Sequence, residues 1–449
     1  MNKIELGLSI ILLGTIIVGM KMTPAGKKLT PPQAHKIPKD VTVHHDTRID
    51  DYYWLKERDT QPVLDYLKAE NDYTFAKMKH TELLQKTLYN EMRGRIKEDD
   101  TTVPYKFGNY MYYTRTEEDL QYDIYCRKLG NSSGDEEITL NMNEMAKKHD
   151  YIDLSAYKIS PNEKLLALTI DTSGAELHKL IVKDIKTGEI LDDNLSNLDG
   201  SVEWANDNKT LFYTVLDKAH RSFQLWRHEL GNEQSDDVLV FQEDDDRFSV
   251  GLHRTKSGEF LKMDLESQIT TEVYLLDRND PFGEWKLVQP REQGIEYYVY
   301  HRGDYLYQIT NKDAINFKMI RTTLKGGKED EFIPNRDKTT LDDVSMFKNH
   351  MAVLERVNGN LEIRLFNFED ESWYKIEMNE DIYSLTFEEN YDWNSDFFRF
   401  GYGSFKTPYC VYDIDFKNHK NTLRKKEEIL GGYESDNYVS ERIWAATHD

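Results

Sequence analysis

Two periods of hydrophobicity divide the chain. After Pro62, Leu64, Leu67, Asn71, Phe75 and Met78 follow at spacings of three and four, all but Asn71 apolar, and then, from near Thr81, Leu84, Leu88, Met92 and Ile96 recur every four. This spacing predicts two helices, each with one apolar face that must cover something. Thr60 and Gln61 ahead of Pro62 mark the first start, because proline suits the opening turn of a helix. From Val103 the period drops to two. Residues 157–170 are the clearest case: two apolar runs flank Ser160-Pro161-Asn162-Glu163-Lys164, so a β-hairpin is predicted. Residues 202–215 repeat it around Asn206-Asp207-Asn208-Lys209.

Hairpin-like breaks fall near Gly108, Asn162, Asp207, Ser257, Gly303, Asn349 and Asn394, 45 to 54 residues apart. Further strands are predicted between them at 122–129, 179–185, 223–229, 271–277, 361–368 and 409–416. Seven units of four short strands at this spacing predict a mainly β fold, a seven-bladed β-propeller preceded by an α-helical segment. A sandwich would not hold the interval seven times, and helical repeats would keep period 3.6. No WD dipeptide closes the units and no Gly-Gly doublet recurs, which disfavours the common propeller repeats.

The expected organisation is a signal peptide or N-terminal anchor at 1–26, a linker and helical segment at 27–100, the propeller at 101–430 and a crossover at 431–449. Residues 27–43 are rich in Pro and Lys and read as an extended linker. The aromatic and charged residues 46–55 read as a docking segment. Residues 418–428 read as a charged loop. Residues 438–447 read as one more strand, ending at His448-Asp449 where a turn would normally continue.

Composition narrows the function. The chain has 449 residues, 28 of them Tyr, and a formal net charge of −23. Its length calls for repeats or more than one domain. Its acidity disfavours nucleic acid as a partner and suits a basic ligand or simple solubility. Cys126 and Cys410 are the only cysteines, too few for a disulfide framework or a CxxC metal site. The nearly uncharged residues 6–20 follow Lys3 and precede Lys21, a length that suits a signal-peptide core or single anchor and predicts export; a misassigned start would leave the protein cytoplasmic.

The chemistry-bearing motifs are weak. Gly130-Asn131-Ser132-Ser133-Gly134 matches G-x-S-x-G, but Asp135-Glu136-Glu137 follow where an apolar helix is required, so an inter-strand turn is expected instead of a nucleophile. Asn131 also heads an N-x-S acceptor motif. His44-His45-Asp46, in an extended segment, would point alternate ways and not converge on a metal. Glu243-Asp244-Asp245-Asp246 lacks the spacing and central Gly of a calcium loop and reads as a solvated turn. No dinucleotide or phosphate-binding loop appears. No catalytic, cofactor-binding or metal-binding residue is assigned.

Several stretches nevertheless resemble the prolyl oligopeptidase family of serine peptidases, in particular its oligopeptidase B branch. They are Arg48-Ile49-Asp50-Asp51-Tyr52-Tyr53-Trp54-Leu55, the helix with Tyr66-Leu67-Lys68-Ala69-Glu70-Asn71, and Glu91-Met92-Arg93-Gly94-Arg95-Ile96-Lys97-Glu98-Asp99-Asp100 with Val103-Pro104. Tyr113-Thr114-Arg115, Tyr125-Cys126-Arg127-Lys128, Val202-Glu203-Trp204-Ala205, Leu225-Trp226-Arg227-His228 and Ser440-Glu441-Arg442-Ile443-Trp444 follow colinearly. The resemblance implies a propeller capping an α/β-hydrolase domain, with hydrolysis of short basic peptides after Arg or Lys by a Ser-Asp-His triad. Triad and specificity pocket would lie in the hydrolase domain, which the sequence stops short of. The expectation is therefore a gating part, inactive alone, whose acidic lining concentrates cationic peptides and which a separately encoded hydrolase domain could complete. The alternative is a free-standing propeller that binds peptides or a protein partner.

Overall fold

A computed structural model describes residues 29–130 and 134–448. Residues 6–20, Ser132 with its neighbours, and Asp449 lie outside the described residues. The chain divides into two compact units, one up to Arg95 and one from Ile96 onward.

In the first unit, strands Lys39–Val43 and Asp46–Asp50 pair antiparallel, Val43 opposite Asp46. Within the linker expected at 27–43, residues 39–43 are thus a paired strand. His44 and His45 form the two-residue turn, both at positive φ (52° and 65°) as a tight hairpin requires, and so are not in extended backbone. The segment 46–55 folds back locally: Trp54 Nε1 donates to the His35 carbonyl at 2.9 Å, and Lys39 Nζ lies 3.7 Å from the centre of the Tyr53 ring. Helix Gln61–Met78 begins at Pro62 as predicted, and helix Glu82–Arg93 follows a short 3₁₀ turn. The second helix stops at Gly94, whose N–H bonds back to Asn90 and Met92, so Ile96 lies beyond its apolar row. Of the two helices only Val63 is buried; Leu67 is 51 % exposed, Phe75 76 % and Leu84 58 %.

The second unit is almost wholly antiparallel sheet. Its four-stranded sheets span 105–141, 249–289, 297–333, 339–375 and 384–426, each with strands in sequence order. All seven expected breaks are turns joining adjacent antiparallel strands; Ser160–Lys164, for instance, links strand Asp153–Ile159 to Leu165–Asp171. The difference from expectation lies at 153–242, where one seven-stranded sheet stands in place of two separate ones. Strand Leu195–Trp204 makes the join. Leu195 and Leu198 pair backward with strand His178–Asp184, while Leu198 and Val202–Trp204 pair forward with Thr210–Leu216. Gly200, at φ +111°, lies in the irregular stretch between. A Cβ there would come within 2.3 Å of Ser155 Oγ, so only glycine serves.

Apolar clusters lie between successive sheets. Ala205, Phe212 and Leu225 pack with Phe248, Val250, Leu252 and Leu261, and Phe347, Ala352 and Ile363 with Leu385, Phe398 and Phe400. Closure between the last and first sheets differs: among the described residues no cluster of buried apolar side chains spans them. Arg399, 2 % exposed, grips Asp413 with two bonds (2.7 and 3.0 Å) and donates to the Pro104 carbonyl at 2.9 Å. Lys106 reaches Asp392 at 3.0 Å, and Tyr105 packs on Tyr391.

Two further expectations are corrected. Residues 438–447 form no strand; Arg442 instead donates to the Asn358 carbonyl at 2.7 Å. The acidic run at 243–246 is not uniformly solvated. Glu243 is 5 % exposed and takes a 2.5 Å bond from Arg291, which also holds Glu272. Helix Met142–Ala146, capped by the Asn141 side chain, has no counterpart in the sequence reading.

Candidate functional site

The ends of several first strands converge on one cavity of about 980 Å³. Strand Tyr105–Phe107 brings Lys106, strand Asp153–Ile159 brings Lys158, strand Leu195–Trp204 brings Glu203, and strand Ser249–Arg254 with its turn brings Arg254, Lys256 and Ser257. Ser345 and residues 387–394 complete the wall. Because first strands of sheets far apart in sequence share this space, it is the axial tunnel at the end where those strands turn.

Its lining is charged, and most charges are matched. Lys158 pairs with the buried Glu203, and Lys106 with Asp392. Arg278 is buried and donates to the Trp204 carbonyl at 2.9 and 3.0 Å and to that of Gly258 at 3.0 Å. Burial pushes its pKa down to about 10, nearby Arg254 adding to the effect and Glu203 opposing it. Glu163 accepts both the N–H and the side-chain amide of Asn109 at 2.6 Å. Across the lining, five carboxylates (Glu163, Glu203, Glu388, Glu389, Asp392) face five cations (Lys106, Lys158, Arg254, Lys256, Arg278). The excess acidity of the chain is therefore not concentrated here, which corrects the expected acidic lining at this end of the tunnel.

One serine–histidine contact was not foreseen. Ser257 Oγ lies 2.8 Å from His301 Nδ1, while His301 Nε2 donates to the Gly303 carbonyl at 2.7 Å. The other bonds of Ser257 run to Thr255 Oγ1 and the Glu259 N–H, and the adjacent Gly258 N–H is committed to the Thr255 carbonyl at 2.9 Å. With that N–H spent within the turn, the amide next to Ser257 is not free for an oxyanion, and the contact fixes the turn against the next sheet. Cys126 and Cys410 are both buried and free; burial pushes the Cys126 thiol up to about 11.

Sheets of this topology, joined in sequence order around a tunnel lined by their first strands, define a β-propeller. The chain belongs to the prolyl oligopeptidase family: residues 32–427 match the model of its N-terminal beta-propeller domain. Among curated proteins it is 30% identical to Protease 2 of Moraxella lacunata, over 92% of this chain and 61% of that protein. It is 32% identical to Dipeptidyl aminopeptidase BI of Pseudoxanthomonas mexicana, over 98% and 64%. Among solved structures it superposes on oligopeptidase B from Leishmania major with a TM-score of 0.87 and 27% identity, covering 93% of this chain and 63% of that one. Oligopeptidase B from Trypanosoma brucei, in a closed form with covalently bound antipain, gives 0.85 and 28%, over 91% and 62%. The chain thus spans a little under two thirds of the length of these relatives.

Proposed function

We propose that this chain is the gating propeller of an oligopeptidase B-like serine peptidase that hydrolyses short peptides after Arg or Lys. In this reading the Ser-Asp-His triad belongs to a hydrolase domain that these 449 residues do not supply, so the chain alone does not turn peptides over. The observation that carries the reading is the match of residues 32–427 to a propeller domain by a chain that covers only 61% and 64% of two peptidase relatives. The propeller has seven blades on this reading, the sheet at 153–242 being two that share strand Leu195–Trp204; the bulge at Gly200 supports the division. With the sampled lining balanced in charge, selection works by size: a cavity crossed by side chains from several sheets admits flexible peptides and excludes folded proteins.

The exposed apolar residues of helices Gln61–Met78 and Glu82–Arg93 fit the same proposal as the surface offered to the hydrolase domain, whether tethered or separately encoded. Export, with an N-terminal anchor or cleaved leader at residues 6–20, belongs to the proposal too. Fractionation and N-terminal sequencing of the mature protein check it.

The decisive assay is turnover of chromogenic peptides bearing Arg or Lys at the cleavage site. The purified chain is expected to give none. Turnover abolished by a serine-directed inhibitor would overturn this, and Ser257→Ala and Ser132→Ala would locate its source. Adding the separately expressed hydrolase domain of a relative is expected to restore cleavage after Arg or Lys. Release of N-terminal dipeptides instead would move the reading toward the Pseudoxanthomonas relative. A stable monomer that binds no apolar dye would favour a free-standing binding propeller.

A further inference from the structure

Three cations that the sheet at 249–289 contributes to the tunnel wall have no carboxylate within ion-pair distance among the described residues. Arg254 ends strand Ser249–Arg254, half-buried, with its guanidinium carbon 4.8 Å from the centre of the Phe107 ring on the first sheet. None of its N–H donors meets an acceptor among the described residues. Lys256, in the turn that follows, reaches the sheet at 339–375, where its Nζ donates to Ser345 Oγ at 3.0 Å and lies 3.1 Å from the centre of the Phe347 ring. Both contacts suit a charged ammonium and leave it donors to spare. Arg278 is satisfied only by the carbonyls of Trp204 and Gly258, which do not neutralise it. The carboxylates of the cavity are engaged elsewhere: Asp392 with Lys106, Glu203 with Lys158, Glu163 with Asn109 and Glu388 with Tyr409, while Glu389 is exposed and pairs with none of the three. Arg254 and Lys256 face a common space. Burial raises the Tyr391 hydroxyl and Arg254 offsets part of that rise; burial lowers the Lys256 amine to about 6 and Asp392 opposes. Tyr391 and Asp392 are consecutive, so the two cations flank one short stretch of wall. Like charges crowded into a partly desolvated cavity are unfavourable until an anion joins them.

We propose that Arg254 and Lys256 form a binding site for a small oxyanion, the guanidinium fork meeting two of its oxygens and the ammonium sharing one. An anion there supplies the charge that the wall lacks and holds the proton on Lys256 against burial. Its small size follows from a lumen of about 980 Å³ crossed by side chains from several sheets. Two sources carry this chemistry, the carboxylate that ends a short peptide and a free inorganic anion such as sulfate. The wall repels the basic side chains of a peptide and draws in its terminal carboxylate. The site does not rest on the peptidase reading, and either can fail without the other.

The test uses the full chain and three probes at constant ionic strength: sulfate, acetyl-trialanine with its free carboxylate, and the same peptide as its amide. Phenylglyoxal modifies arginine side chains, and peptide-mapping mass spectrometry reads the rate at Arg254 against that at the exposed Arg58. Sulfate or the peptide acid is expected to slow modification of Arg254 about fivefold or more at saturation, with Arg58 unchanged and the amide without effect. Protection by the acid at lower concentration than by sulfate assigns the site to a peptide end; the reverse order assigns it to a free inorganic anion, and both support an oxyanion site. Lys256→Met, with Arg254 still reporting, should raise the half-protecting concentration about tenfold, and Lys256→Arg should largely restore it. Arg254 protected by neither anion in the unaltered chain overturns the proposal without relying on any variant's folding. Equal protection by amide and acid overturns the oxyanion as the group bound, and unchanged protection in Lys256→Met overturns the role given to Lys256.

Discussion

The helices of the first unit and the sheets of the second are built from the same apolar residue types, yet bury them differently. Leu166, Leu211, Phe212 and Phe398 are wholly buried in the sheets, while Leu84, Leu88 and Phe75 stand exposed on the helices. In the propeller each sheet finds the surface it must cover on the next sheet along the chain, so burial is completed by sequence neighbours. The helices carry an apolar face with only Val63 buried, and an amphipathic helix of this kind takes its stability from packing that face. One unit completes its burial by repetition; the other leaves its apolar residues in water.

The strongest way to break the self-sufficient half is at its closure, where among the described residues no buried apolar cluster joins the two sheets. Arg399→Ala would leave Asp413 buried without its bidentate partner and remove the bond to the Pro104 carbonyl. Unfolding free energy of the propeller is expected to fall by about 3 kcal/mol. This is the lower end of the range for breaking a buried pair, because Arg424 Nε lies 3.5 Å from Asp413 and compensates in part. Denaturant unfolding of variant and parent checks it. A loss below about 1 kcal/mol would mean that the first and last sheets are held by something other than this grip.

A second, smaller effect sharpens the comparison through pH. His228 is fully buried, with Nδ1 2.6 Å from Asp237 and Nε2 3.1 Å from Asp193. Burial alone lowers its pKa, but the hydrogen bonds and charges of the two carboxylates outweigh burial and raise it above the ordinary value. A raised folded-state pKa contributes stability that is complete below the unfolded value, near 6.5, and is lost as pH climbs through the folded one. Thermal midpoints of the propeller should therefore decline from pH 6 toward pH 8.5, and His228→Gln should flatten that decline. An unchanged slope in the variant would place the titration elsewhere.

How much of this was legible follows the same division. The seven turns could be read because their chemistry is local: Asn162, Asp207 and Ser257 cap their own turns, and Glu163 and Asn208 take the positive φ that the turns need. Pro62 marked the helix start for the same reason. The His44-His45 hairpin was hidden because neither residue is a usual turn former. The joined sheet at 153–242 depends on one glycine and the clash it avoids with Ser155, and the burial of Glu243 on Arg291, 48 residues away. The tunnel left a faint trace, a charged residue shortly before several breaks (Lys106, Lys158, Glu203, Arg254), but pairing among them is set only when distant strands meet.

The gentlest test falls on the half whose apolar residues stand exposed. Leu84 and Leu88 lie four residues apart on helix Glu82–Arg93, 58 % and 45 % exposed. If their face awaits another surface, replacing both with serine removes apolar area that water already touches. Only the modest helix-propensity difference between Leu and Ser is lost, about 0.5 kcal/mol or less per site. Leu84→Ser with Leu88→Ser should therefore leave the denaturation midpoint of the chain almost unmoved while lowering apolar-dye binding and raising solubility. The same pair should weaken association with an added hydrolase domain, which separates a docking face from a merely exposed one. A fall in stability of 2 kcal/mol or more, the order expected when a buried leucine is lost, would show the face to be packed within the chain and would erase the contrast between the two units.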